Sequence, residues 1–86
     1  MKILICEDEL IIAEFIKETC IETGFTVCGI AKNSIEAIEK LHIEKPDVVL
    51  LDINLDERMS GVRIGEYIAQ KTGQPFIFIT AFSDME

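Results

Sequence analysis

Basic residues are scarce in this sequence. Eight Lys and Arg stand against sixteen Asp and Glu, for a net charge of −8. So acidic a chain cannot displace counterions from nucleic acid, and anionic membrane surfaces repel it. A divalent cation or a basic protein partner suits the balance better. Long apolar runs are also missing. None approaches the roughly 18 residues of a transmembrane helix. The stretch Ile3 to Cys6 is too short for the apolar region of a signal peptide. Cysteine pairs are missing too. Cys6, Cys20 and Cys28 show no C-x-x-C spacing. Free thiols in a reducing cytosol are expected, so the location is read as cytoplasmic. Histidine occurs once, as His42, far in sequence from any cysteine. That spacing excludes a zinc cluster and leaves His42 a boundary residue. There is no internal repeat and no low-complexity linker.

What is present is one domain's worth of chain, 86 residues with 49% apolar composition. A domain of this size buries roughly 60–65% of its unfolded surface. Its organising stretch is Asp47-Val48-Val49-Leu50-Leu51-Asp52. A run apolar at every position suits a strand buried on both faces. Pro46 sets its start. Asp52 then stands at the carboxyl end of a central parallel strand, the edge where open α/β sheets bind ligands.

In chain order, Lys2 to Cys6 is a first buried strand, halted by Glu7-Asp8-Glu9. A helix from Leu10 to Glu22 follows, with Ile12, Phe15, Ile16, Thr19 and Cys20 as its inner face. Asp8 is the expected N-cap and Gly24 the stop. Phe25 to Ala31 is a second strand, and Thr26 and Gly29 suit it to an edge. Asn33-Ser34-Ile35-Glu36 resembles a capping box for a helix over Ser34 to Ile43, with Ile35, Ile38 and Leu41 inward. After the third strand, Ile53 to Ser60 is a polar loop. Ser60-Gly61 opens a third helix to Lys71, with Val62, Ile64 or Gly65, Ile68 and Ala69 inward. Thr72 to Pro75 is a turn, Phe76 to Thr80 a fourth strand, and Ala81 to Glu86 a loop.

The order βαβαβαβ means a doubly wound parallel sheet of the flavodoxin-like α/β class. Right-handed crossovers place every strand's carboxyl end on one edge. There the first strand delivers Glu7 and Asp8, the third Asp52, and the fourth Thr80. With strand order 2-1-3-4 the carboxylates converge. Two charges about 4 Å apart repel by roughly 4 kcal/mol at an effective dielectric near 20, so a cation is expected. Hard oxygen ligands in a partly open site suit Mg²⁺. Asp52 would then attack phosphorus and form an acyl phosphate, with Thr80 as a hydroxyl donor. Taken singly, each carboxylate reads equally well as a helix cap.

Together these residues resemble the receiver domain of bacterial two-component response regulators. The matching segments are Ile3 to Glu9, Pro46 to Leu55, Ser60-Gly61 and Pro75 to Ala81. The resemblance implies that Asp52 is the phosphoacceptor. It implies that Asp8, Asp52 and the main-chain carbonyl of Asn54 ligate Mg²⁺, with Glu7 in support. It implies that Thr80 contacts the phosphoryl group, that Ala81 gives the group room, and that Asn54 and Phe82 tune its lifetime. A histidine kinase or phosphotransfer protein is the implied donor. The chain is expected to be a switch rather than a metabolic enzyme.

The chain departs from that family in three ways. Glu7-Asp8 stands where two aspartates are common, and the loop from Asp52 to Gly61 is slightly longer than usual. A fourth helix, a fifth strand with its lysine, and a fifth helix are expected beyond Glu86. Residues 1–86 therefore read as the N-terminal portion of a receiver. Lys45-Pro46 precedes the third strand and does not replace that lysine. The fourth strand would be left as an open apolar edge, so self-association or swapping is expected. An output domain or partner would follow residue 86 in the parent chain. Three other readings compete. A haloacid dehalogenase-type phosphohydrolase needs a second acid where Asn54 stands. A flavodoxin-like nucleotide binder needs a phosphate loop where Glu7-Asp8-Glu9 stands. The third is an interaction fragment that is not phosphorylated.

Overall fold

Runs that are apolar at every position form strands sandwiched between helices, and the amphipathic stretches between them form those helices. The computed structural model describes residues 1–55 and 60–79. In order these are β1 (Lys2–Cys6), α1 (Leu10–Glu22), β2 (Thr26–Ala31), α2 (Ser34–Glu44), β3 (Val48–Asp52), α3 (Gly61–Tyr67) and β4 (Phe76–Ile79). The strands pair in parallel in the order β2-β1-β3-β4. Cys6 pairs with Leu51 and with Ala31, and Asp52 with Ile79, so the strand ends line up along one edge.

Side chains alternate across β1, as a strand's two-residue period requires. Leu4 and Cys6 join Val49, Leu51, Leu41 and Ile64 beneath α2 and α3. Ile3 and Ile5 join Cys20 and the half-buried Ile16 and Leu50 beneath α1. A register shift at Ile3/Leu4 leaves Cys28 as the extra residue of a bulge in β2, beside Gly29. The thiols are free. His42 is exposed, and its Nε2 lies 2.7 Å from the Tyr67 hydroxyl in a hydrogen bond that ties α2 to α3.

The helix ends follow local chemistry. Asn33 caps α2 by accepting a hydrogen bond from the Glu36 backbone N–H at 2.9 Å. The Glu36 carboxylate reaches back to accept from the Lys32 N–H. Removing that cap as Asn33→Ala should cost about 1 kcal/mol, or a drop of about 4–8 °C in a thermal melt. Ser60 caps α3, accepting from the Arg63 N–H at 3.3 Å.

Several expectations need correction. Asp8 is not the N-cap of α1; Glu9 holds that position and makes no side-chain cap bond. Thr19 is exposed and Phe15 is 64% exposed, while Ala13 is buried. Ile35, Val62 and Ala69 are exposed as well; Leu41, Ile64 and Ile68 are inward as expected, and at the closest approaches the small Ala37 and the expected Gly65 are inward. Small residues win there because the helices sit close to the sheet: a Cβ on Gly65 would meet the Phe76 ring at 2.9 Å. The end of the third helix widens into a π-helical turn over Ile68–Thr72, closed by Gly73 in the left-handed region at φ 77°. Helix α2 runs one residue further than expected and ends at Lys45, itself left-handed at φ 48°.

Candidate functional site

β1 and β3 are adjacent, so the residues following them share one place on the sheet edge. Glu7 extends the β1 pairing through its N–H, which donates to Ala31 O at 2.9 Å. The residue is 3% exposed, and one carboxylate oxygen accepts from the Glu9 N–H at 3.0 Å. Asp52 is likewise 3% exposed at the end of β3, and its Oδ1 accepts from the Asn54 N–H at 3.1 Å. Asp8 is exposed beside them. Carboxylate oxygens of Glu7, Asp8 and Asp52 all lie within 4.8 Å of one another. The structure therefore brings together the three acids that the sequence singled out. Asn54 is exposed in the turn that follows Asp52. Thr80, Ala81 and Phe82 lie outside the described residues.

Three like charges so close are costly, and the site shows it. Burial pushes the Glu7 carboxyl up to about 7; the Glu9 amide pulls the other way, and the charges of Asp52 and Asp8 add to the rise. The donor set is all carboxylate oxygen and partly open, which fits a hard divalent cation and no softer metal. A raised carboxyl pKa stabilises the fold only below its ordinary range near 4.5. That contribution is lost as pH rises toward 7. Cation binding needs the ionised form and gains over the same window. Millimolar Mg²⁺ should therefore raise the melting temperature more at pH 8 than at pH 5.5. Equal shifts at the two values would contradict this account. Cys6 offers no rival nucleophile beside the site, because burial, with a smaller contribution from Cys28, pushes its thiol up to about 12.

Two supports escaped the sequence reading. One is the pair of backbone amides, Glu9 and Asn54, that hold the two buried carboxylates; nothing in residue type marks them. The other is Gly61, which read as a helix start and as part of the matching Ser60-Gly61 segment, but not as a contact of Asp52. Its N–H donates to Ile53 O at 2.6 Å, and a Cβ there would overlap the carbonyl oxygen of Asp52. The Ser-Gly pair was the available signal.

The family model for the response regulator receiver domain matches residues 3–86. The transcriptional regulatory protein PdtaR of Mycobacterium tuberculosis is 34% identical over 85 residues, covering 99% of this chain and 41% of that protein. The chain thus spans about two fifths of that relative's length. The signal receiver domain of a modulated diguanylate cyclase from Desulfovibrio desulfuricans superposes with a TM-score of 0.87 at 31% identity, covering 98% of this chain and 67% of that one. The response regulator PhyR from Brucella abortus superposes with a TM-score of 0.86 at 40% identity, covering 94% of this chain and 33% of that one.

Proposed function

The chain belongs to the response regulator receiver family, a family of phospho-accepting signalling switches, and on that premise we propose that its phosphoacceptor is Asp52. The observation that carries the proposal is the convergence of Glu7, Asp8 and Asp52 at the ends of adjacent strands. In this reading an oxygen of Asp52 attacks the phosphorus of a donor. The donor's bond to phosphorus breaks, and an acyl phosphate forms on Asp52. The Asn54 amide fixes the attacking carboxylate, and the Glu9 amide fixes Glu7. Asp8, Asp52 and the Asn54 carbonyl would hold Mg²⁺, with Glu7 in support. Bound there, the ion would neutralise charge on the transferring phosphoryl oxygens.

Thr80 is proposed to contact the phosphoryl group, Ala81 to leave it room, and Asn54 and Phe82 to tune its lifetime. A histidine kinase or a phosphotransfer protein is the proposed donor, in the cytoplasm. No helix among the described residues is long and apolar enough to cross a membrane. The domain acts on itself alone, and any output belongs to the longer proteins in which such a unit occurs. Self-association through β4 is proposed as well, since β4 pairs with β3 on one side and with no other strand among the described residues. Phosphohydrolase chemistry of the dehalogenase type fits less well, because Asn54 cannot act as its second acid.

The test is incubation with acetyl phosphate and Mg²⁺, followed by intact mass and peptide mapping. One phosphoryl group on Asp52 is the expected product. An unmodified chain, or a label on another side chain, would end this reading.

A further inference from the structure

α3 is a helix of seven residues whose underside is smooth. Ile64 and Ile68 are buried beneath it and hold it down on the sheet, but apolar burial is non-directional and does not aim it. Gly65 meets the Phe76 ring with no side chain to interlock. Past Tyr67 the helix widens into the π-helical turn, so regular helix does not brace its far end.

Hydrogen bonds supply the direction. At the start, the Gly61 N–H donates to Ile53 O at 2.6 Å, and the helix bears on the Asp52 carbonyl so closely that no Cβ fits. At the end, the Tyr67 hydroxyl lies 2.7 Å from His42 Nε2, and the two rings meet edge-on at 6.2 Å. The Tyr67 ring is half-buried against the core cluster that holds Leu41 and Ile64, so its hydroxyl is carried at a set place on α3. Beside this pair the ends of the helices stand apart. A cleft of about 390 Å³ is lined by Leu41, His42, Lys45 and Pro46 on one side and by Thr72 and Gln74 on the other. Gln74 Oε1 is buried with no hydrogen-bond partner, so the turn after α3 is not locked across the cleft. The far end of α3 is therefore set by the His42–Tyr67 bond more than by packing on the last turn of α2.

Tyr67 and Gly61 lie about 9 Å apart along one helix. A sideways movement at Tyr67 is then a tilt that Gly61 feels. It has two outlets there: the bond to Ile53 O lengthens, or the Asp52 carbonyl is displaced. We propose that Tyr67, held by His42, is a positioning residue for Asp52. The latch sets how closely Gly61 bears on the end of β3, and so where the Asp52 carboxylate stands relative to Glu7 and to the Asn54 amide. Its bearing on the reaction rests on Asp52 being the phosphoacceptor. The three elements that carry it, α2, β3 and α3, are complete among the described residues.

The test uses variants of the 86-residue chain. Tyr67→Phe keeps the ring and removes the hydroxyl. His42 is exposed, so replacing it leaves the core intact. In the metal-free protein, Tyr67→Phe and His42→Ala should move the amide NMR signals of Gly61 and Asn54 in the same direction. His42→Gln, whose Nε2 takes the place of the imidazole Nε2, should return them toward the parent's. Combining Tyr67→Phe with His42→Ala should go no further than Tyr67→Phe alone. With acetyl phosphate and Mg²⁺, the saturating rate of Asp52 labelling should fall about twofold to thirtyfold in Tyr67→Phe. The half-saturating donor concentration should stay the same, because Tyr67 does not touch the donor. Unmoved Gly61 and Asn54 amides, additive effects of the two substitutions, or a labelled parent whose rate Tyr67→Phe leaves unchanged would overturn the proposal. An unlabelled parent whose amides respond as expected would count against the phosphoacceptor reading and would still support the latch.

Discussion

Asp52→Asn should lose phosphoryl uptake from acetyl phosphate while making the metal-free protein more stable. The two effects have one cause. Asp52 is buried, and its carboxylate shares a space within 4.8 Å of Glu7 and Asp8. At that separation each charged pair repels by roughly 3–4 kcal/mol at an effective dielectric near 20. Part of this is already relieved, since Glu7 holds its proton up to a pH of about 7. The net gain on removing the Asp52 charge is therefore about 1–3 kcal/mol. In a domain of this size that corresponds to about 4–8 °C per kcal/mol. Asparagine keeps an oxygen to accept the Asn54 N–H, so the turn after β3 survives the change. Two measurements check it: intact mass after phosphodonor treatment, and thermal melts with and without Mg²⁺. The variant should melt higher than the parent in EDTA and gain less from Mg²⁺. A lower melting point in EDTA would show that Asp52 serves the fold rather than a charged site. Uptake equal to the parent's would place the phosphoacceptor elsewhere.

The parts of this molecule that were legible in the sequence are those fixed by contact on every side. β1 after Lys2, β3 before Asp52 and all of β4 are apolar at each position, and both faces of β1 and β3 meet core. Their order, direction and carboxyl ends follow, and with them the meeting of Glu7, Asp8 and Asp52. Helix faces were less legible because a periodic pattern gives an apolar stripe but not its covering. Phe15 and Thr19 belong to the expected stripe of α1 but are exposed, while Ile16 and Cys20 of the same stripe pack on the sheet and Ala13, outside it, is buried. In α2 and α3 the expected Leu41, Ile64, Gly65 and Ile68 are inward, but Ala37 is buried where Ile35 was expected, because closeness of approach outweighs hydrophobicity. The π-helical turn at Ile68–Thr72 has no signature in residue type. Backbone hydrogen bonds to Glu7 and Asp52 also carry none, since any residue but proline supplies an N–H.

Gly61→Ala should disrupt the site more than its single added carbon implies. The new Cβ would overlap the Asp52 carbonyl oxygen and lie 2.8 Å from both the Asp52 carbonyl carbon and Ile53 Cα. These are main-chain atoms, so no side-chain rotation relieves the clash. Either α3 shifts away from the sheet edge or the end of β3 bends. The first breaks the 2.6 Å bond from the Gly61 N–H to Ile53 O; the second moves the Asp52 carboxylate relative to Glu7. Overpacking against side chains costs about 1–3 kcal/mol, and backbone contact places this case at or above that range, about 3 kcal/mol. Gly24→Ala is the informative control. Gly24 is left-handed at φ 101°, and a Cβ there would meet nothing within 4 Å, so its cost is conformational strain alone, about 1 kcal/mol. Denaturant unfolding should rank Gly61→Ala well below Gly24→Ala. Mg²⁺-dependent stabilisation should fall in the first and persist in the second, because Gly24 lies after α1, away from the acids. Equal losses of stability and an unchanged response to Mg²⁺ in both variants would show that the close approach of Gly61 to Asp52 plays no part in holding the site.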